Sequence, residues 1–485
     1  MIEQLKKINK IYDLLALCAS YILTIYNKTP YNFEMFDDEK YDRVYDAMER
    51  YCCECQEKGH RKAFEELREY IIAFMMPEVT IEKCFAVVKY IDELVEVEIN
   101  GKLLGESQII RYSSLNEQYK DCIRIIPKMK ETFLDRGNLQ YENVGNDNYP
   151  LFRERRECPC SPLDRETLNY MIWDKEHIDK YPMWIYRLDE KNPIAKHFDE
   201  REQITFGIVP FTNKNIDDLL AVKYEKRSFY IEKMYENAEE DLKDRYENIC
   251  SRCKDEDIDF LVFPEMLMTE KIISSIKIED KIQSPCIIIN GSIWKENMNK
   301  AVITDGRGEK IFSYYKKEPF KLKKEDKEYR ECLNKSINRE YSIMEIEGVG
   351  RIGVGICKDL ISEDVKFFHK MVGTDILIIP AYTRSMDLQA SAEELSQEYN
   401  CVVVVANACS ALNKTNGEVL NRKIGFITLP AKKDAARSQI IVNYEQNNCL
   451  KDCEYKCSGK KISIDFYNTK KYADKVSYVV SEEAF

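Results

Sequence analysis

From Ile204 onward the chain repeats one pattern. A short β-branched run ends in a polar or special residue, and an amphipathic stretch often follows. The runs are Ile204–Val209, Ile258–Phe263, Cys286–Asn290, Ala301–Thr304, Ile352–Ile356, Asp375–Ile379 and Cys401–Val405. Unbroken apolar runs suit strands covered on both faces. Their alternation with helix-like stretches such as Tyr224–Cys253 and Leu388–Tyr399 predicts a layered α/β fold. Several runs end in Pro264-Glu265, Cys357-Lys358-Asp359, Pro380-Ala381-Tyr382 or Ala406-Asn407. Sites in α/β proteins gather at the carboxyl ends of strands, so these residues are expected to converge on one sheet edge.

Residues 1–200 have a different texture. Glu3–Tyr26, Asp38–Tyr51 and Arg61–Phe74 space their apolar residues as helices do. A less regular stretch, 136–200, contains the turn-prone Gly145–Pro150 and Cys158–Pro162. A chain of 485 residues exceeds one ordinary core. The reading is a mostly helical domain, 1–200, followed by an α/β domain, 201–485. A net charge of −12 argues against a general nucleic-acid binder. The opening MIEQLKKINK has no secretory pattern, and the apolar stretch Leu14–Tyr26 is too short to span a bilayer. A cytoplasmic protein with no membrane association is expected. The 18 cysteines are scattered, as thiols of a reducing compartment would be. The four histidines are His60, His177, His197 and His369, so a mechanism built on a histidine base has few places to find one.

Three segments carry candidate chemistry. In VGRIGVGICKDL, strand alternation puts Ile352, Val354 and Ile356 on a core face and Arg351, Gly353, Gly355 and Cys357 on the other. The glycines would leave space beside Cys357, although a free cysteine is commonly just a buried filler. In DFLVFPEM, Glu265 follows a buried strand and Pro264. Partial desolvation there would raise its pKa and make it a proton acceptor near neutral pH. In GEKIFSYYKKEPF, a strand delivers Lys316 and Lys317. A lysine beside a cysteine lowers the thiol pKa and can hold an oxyanion.

In this order, FPEM with Glu265, Tyr314-Tyr315-Lys316 with Pro319, and GVGICKDL with Cys357 resemble the nitrilase superfamily of carbon–nitrogen hydrolases. TDILIIPAYTRS, VVVVANAC with Asn407, and the strand pair within NGSIWKENMNKAVITDGRGEKIFSYYKK agree with it, over roughly residues 203–445. The resemblance implies a four-layer αββα sandwich and a Glu265–Lys316–Cys357 triad that hydrolyses a small amide or nitrile through a thioester, with no cofactor. It also implies an oxyanion site using the Lys358 N–H and a second glutamate near the lysine, Glu325 by spacing or else Glu318. A homodimer through helices such as Glu363–Val372 and Leu388–Tyr399 is implied too. The N-terminal domain would shape access or bind a protein partner. Lys317 is the alternative triad lysine, and Asp359 orients the loop.

The chain departs from the family pattern where Lys358 replaces an aromatic residue, where Glu318 replaces a histidine, and in a shortened segment after Met266. Two further readings therefore stand: amide transfer or ammonia supply to a partner synthetase, and a non-catalytic assembly or regulatory module. A papain-like pair with His369 is discounted, because spacing gives no mutual orientation. Cys449, Cys453 and Cys457 at i, i+4 and i+8 are weak zinc candidates. The lysines at 316–327 read as a solvated face before a steering patch for an anionic substrate.

Overall fold

The computed structural model describes residues 1–26, 31–94, 123–128, 161, 163, 167, 169–188, 191–199, 201–276, 285–324, 326–334, 340–383, 387–412, 423–430, 439–443, 459–472 and 475–485. These fall into two compact units that divide between Trp184 and Ile185.

The first unit is built from helices Ile11–Tyr26, Asp42–Lys58, His60–Met75 and Ile81–Leu94, with the antiparallel strands β1 (Ile123–Pro127) and β2 (Tyr170–Asp174). Its core includes Leu14, Leu15, Cys18, Ile22, Phe64, Ile71, Phe85 and Val88. Buried Asp92 closes it by accepting the N–H groups of Asn169 and Tyr170 at 2.9 and 3.0 Å. Among the described residues no helix is long and apolar enough to cross a membrane.

The second unit holds two large mixed sheets. In the first, β4 (Gln203–Ile208), β7 (Phe260–Val262) and β8 (Ile287–Ile289) are parallel and central. On one side lie β10 (Met298–Asp305) and β11 (Lys310–Tyr315), with β9 (Ile293–Lys295) paired to β10. On the other lie β20 (Lys460–Tyr472) and β21 (Lys475–Ala484). In the second sheet, β15 (Gly350–Val354), β16 (Ile376–Ala381) and β17 (Val402–Asn407) are parallel. They are flanked by β14 (Tyr341–Ile346) and β3 (Met183–Leu188, of which Ile185–Leu188 belong to this unit), and by β18 (Lys423–Thr428) and β19 (Gln439–Asn443). All seven apolar runs named from the sequence overlap strands. β17, VVVVAN, is buried at every position, as a doubly covered strand must be.

Helix Glu236–Cys253 packs Leu242, Tyr246 and Ile249 against Leu261, Phe263 and Ile288 of the first sheet. Helices Glu363–Val372 and Asp387–Tyr399 are the crossovers between β15, β16 and β17. Gly373, at φ 66°, ends the first of them in the left-handed conformation that favours glycine. The sheets meet where Tyr186 stacks on Phe312 at 5.0 Å between ring centres.

Two details correct the sequence reading. The stretch Tyr224–Cys253 is not one amphipathic helix. Its first part belongs to the hairpin β5 (Leu220–Glu225) and β6 (Ser228–Met234), and the helix starts at Glu236. This hairpin joins β12 (Lys321–Lys324) and β13 (Lys327–Glu331) in a small four-stranded sheet. The glycines of GRIGVG do not clear space for a sulfur. A Cβ on Gly353 would lie 2.5 Å from His369 Cε1, and one on Gly355 would lie 2.9 Å from Ile379 Cδ1. Gly353→Ala is therefore expected to destabilise the fold by about 1–3 kcal/mol through overpacking. Adding His369→Ala should recover part of that loss, and urea unfolding of the four chains measures the coupling.

Candidate active site

Glu265 is delivered by a constrained turn. β7 ends at Val262, Phe263 and Pro264 follow, and the Glu265 N–H donates to the Ala381 carbonyl at 3.3 Å. The next residue, Met266, has φ 67°, and its N–H is held by Ser292 Oγ at 2.9 Å. Gly291 makes the turn possible, because a Cβ there would lie 2.0 Å from the Pro264 carbonyl oxygen.

Lys316 comes one residue after β11, and its N–H donates to the Asn299 carbonyl at 2.9 Å. Its ammonium donates to Glu265 Oε1 at 2.6 Å and to Glu331 Oε2 at 2.7 Å. All three side chains are at most 1% exposed. Burial alone would depress the lysine pKa, but the two carboxylates outweigh it and hold Lys316 charged. For Glu265, burial raises the carboxyl pKa and Lys316 opposes that rise only in part.

Cys357 is not a continuation of its strand. β15 stops at Val354, and Cys357 opens a 3-10 turn at φ 48°. Few non-glycine residues adopt that conformation, and it occurs at strained functional turns. The Glu265 carboxyl group, the Lys316 ammonium and the Tyr382 N–H are the polar groups that act on the Cys357 thiol. Burial first, and then the Glu265 charge, push its pKa far up. The resting thiol is therefore neutral.

Asp359 ties these arms together. Its Oδ1 accepts the N–H groups of Lys317 and Glu318 at 2.9 and 2.7 Å, and its Oδ2 accepts that of Ile356 at 3.0 Å. Burial raises its pKa to about 6 against those same amides. Asn407 fixes the strand end opposite, donating to the Thr383 carbonyl at 2.8 Å and accepting the Thr383 N–H at 3.0 Å. One residue earlier, the Tyr382 N–H donates to Glu265 Oε2 at 3.2 Å.

The structure thus brings Glu265, Lys316 and Cys357 together. The Lys358 side chain points away, with Nζ 3.9 Å from Asp387 Oδ2. Its backbone N–H, at the start of the 3-10 turn, meets no acceptor among the described residues. Lys317 turns outward, over the Tyr314 and Tyr341 rings at 5.4 and 4.9 Å. The Glu318 side chain is 43% exposed and 4.0 Å from Arg330, so it does not join the cluster. Glu325 lies outside the described residues, as do Cys449, Cys453 and Cys457. Among the described residues no cluster of His, Cys, Asp or Glu is arranged to hold a metal ion. His369 is a packing residue. Its Nδ1 pairs with Thr374 Oγ1 at 3.0 Å, and burial lowers its pKa to about 3.

Two residues of the cluster were missed from the sequence. Glu331 ends β13 and accepts the Phe320 N–H at 2.7 Å as well as the Lys316 ammonium. Asn299 donates through Nδ2 to Glu265 Oε1 at 2.9 Å and to Glu331 Oε1 at 3.0 Å. No motif pointed to either. For Asn299 the usable signal was positional, since β10 pairs with β11, the strand that leads into Lys316. Glu331 had no such signal, because β13 pairs with β12 and β6.

No family model matches the chain, and no curated protein does. Solved structures of nitrilase-superfamily proteins match half of it. Nit3 of Saccharomyces cerevisiae, a member of branch 10 of that superfamily, is 15% identical over 50% of this chain and 89% of its own, with a TM-score of 0.32. The C. elegans NitFhit protein is 13% identical over 50% of this chain and 60% of its own, with a TM-score of 0.32. An amidase from Nesterenkonia sp. AN1, solved with the acetamide moiety of fluoroacetamide on its active-site cysteine, is 11% identical over 50% of this chain and 90% of its own, with a TM-score of 0.31. The chemistry of the site rests on its own geometry.

Proposed function

We propose that this chain hydrolyses the C–N bond of a small, non-peptide amide or nitrile, with Cys357 as nucleophile. The observation that carries the reading is the buried cluster of the Glu265 carboxyl group, the Lys316 ammonium and the Cys357 thiol. Glu265 Oε1 is occupied by Lys316 and Asn299, which leaves Oε2 to take the thiol proton. The thiolate attacks the substrate carbon as the proton moves to the carboxylate. Lys316 has three N–H bonds and two are used. The third, with the Lys358 N–H, stabilises the oxyanion. With an amide, Glu265 passes its proton to the leaving nitrogen, and ammonia or an amine departs as the tetrahedral adduct collapses to a thioester. With a nitrile, the attack gives a thioimidate, one water adds to it, and ammonia then departs to leave the same thioester. Water, deprotonated by the same carboxylate, then releases the acid and restores the thiol. In this reading residues 201–485 are the hydrolase, and residues 1–200 serve access or a protein partner.

A panel of simple amides and nitriles tests the proposal through ammonia release and acid formation. The wild-type chain should turn over at least one compound, and the Cys357→Ala chain none. Turnover by the alanine variant would overturn the assignment. An added amine that captures the acyl group marks transfer rather than hydrolysis.

A further inference from the structure

We infer that Asn299 is a positioning residue that keeps Glu265 ionised and selects which of its oxygens acts as base. The inference rests on the hydrolase reading and adds to it. Asn299 sits on β10, opposite Trp294 across a two-residue hairpin whose central residues, Glu296 and Asn297, have φ 54° and 59°. Its main-chain carbonyl accepts the Lys316 N–H at 2.9 Å. Its side-chain nitrogen bridges Glu265 Oε1 and Glu331 Oε1. One residue therefore touches all three charged partners.

The amide has only one workable orientation. Reversed, its oxygen would face two carboxylates. As placed, Oδ1 is buried without a hydrogen-bond partner, a costly arrangement that persists because the two charged acceptors hold the nitrogen side. The charges explain the need. Glu265 and Glu331 share the single ammonium of Lys316. Like charges sharing a site drive one carboxylate to bind a proton. Asp359 adds negative charge behind Lys316, and the Cys357 thiol is neutral. The Asn299 N–H bond to Oε1 favours the ionised form of Glu265 and saturates that oxygen, so Oε2, which holds the Tyr382 N–H at 3.2 Å, is the oxygen left to take a proton.

The test uses iodoacetamide on the full chain, with peptide mass spectrometry of Cys357 across pH. Alkylation needs the thiolate, and the thiolate needs an unprotonated Glu265. Asn299→Leu removes both N–H bonds, so the Glu265 pKa rises and the acid limb moves to higher pH. We expect a shift of about one pH unit, which is about tenfold slower alkylation well below the limb. Adding Glu331→Gln removes the like charge and should move the limb back, a rescue that a purely structural role would not give. If the leucine chain does not fold, Asn299→Ser keeps one donor and should shift the limb in the same direction by less. A folded Asn299 variant with the wild-type profile overturns this role and leaves the hydrolase reading standing. Wild-type Cys357 reacting no faster than the exposed Cys53 overturns both.

Discussion

Replacing Lys316 with methionine is expected to lower the stability of the fold at pH 7.5 by about 3–5 kcal/mol, the usual result of removing one partner from a buried ion cluster. The lysine is fully buried and is the shared ion partner of Glu265 and Glu331. Without it, two carboxylates stay buried near each other with Asn299 between them. Their folded-state pKa values would then rise above the unfolded value. The folded state would bind protons that the unfolded state does not, so stability is lost as pH rises through the raised values. The deficit should be largest at pH 7.5 and smaller near pH 5. Urea unfolding at both values measures it. A methionine chain as stable as wild type at pH 7.5 would mean that the two carboxylates are not both ionised there.

Glu265→Gln should have the largest effect on rate. The carboxylate is used twice, once to take the thiol proton and once to activate water, and a positioned base contributes about 10²–10⁴-fold. A loss of at least about 10³ in kcat/KM is expected. The fold should survive, because Lys316 keeps its ion pair with Glu331 and glutamine has nearly the same shape. Activity and urea unfolding of the same preparation separate the two effects. A glutamine variant within tenfold of wild type would remove Glu265 as the base.

The strands and their ends were legible because burial on both faces leaves an unbroken apolar run, and a turn residue marks where it stops. That was enough to point to Glu265 and Cys357 as strand-end residues. Glu331 was not legible for the converse reason. KLKKEDKEYRE reads as a charged, solvated segment, and most of β13 is indeed exposed. Within β13 it is the last residue, Glu331, that turns inward, to an ammonium 15 positions earlier. Asn299 was hidden in the same way, since nothing local distinguishes a strand asparagine that bridges two distant carboxylates. Arg351 was placed on the face opposite the core face and is buried there too, with Nε on Glu345 at 2.9 Å and Nη1 on the Val372 carbonyl at 2.6 Å. Alternation assigns side chains to faces, but it does not say that both faces are covered. The glycines misled for a related reason. The space they leave is filled by helix Glu363–Val372 and by β16, which arrive later in the chain.

The central claim is a covalent acyl group on one sulfur. The wild-type chain, mixed with an amide that it turns over and quenched in acid within the first turnover, should carry a mass increase equal to the acyl group. Peptide mapping should place that increase on Cys357, and the Cys357→Ala chain should show none. Turnover with no adduct on Cys357, or with the adduct on another cysteine, would contradict the account.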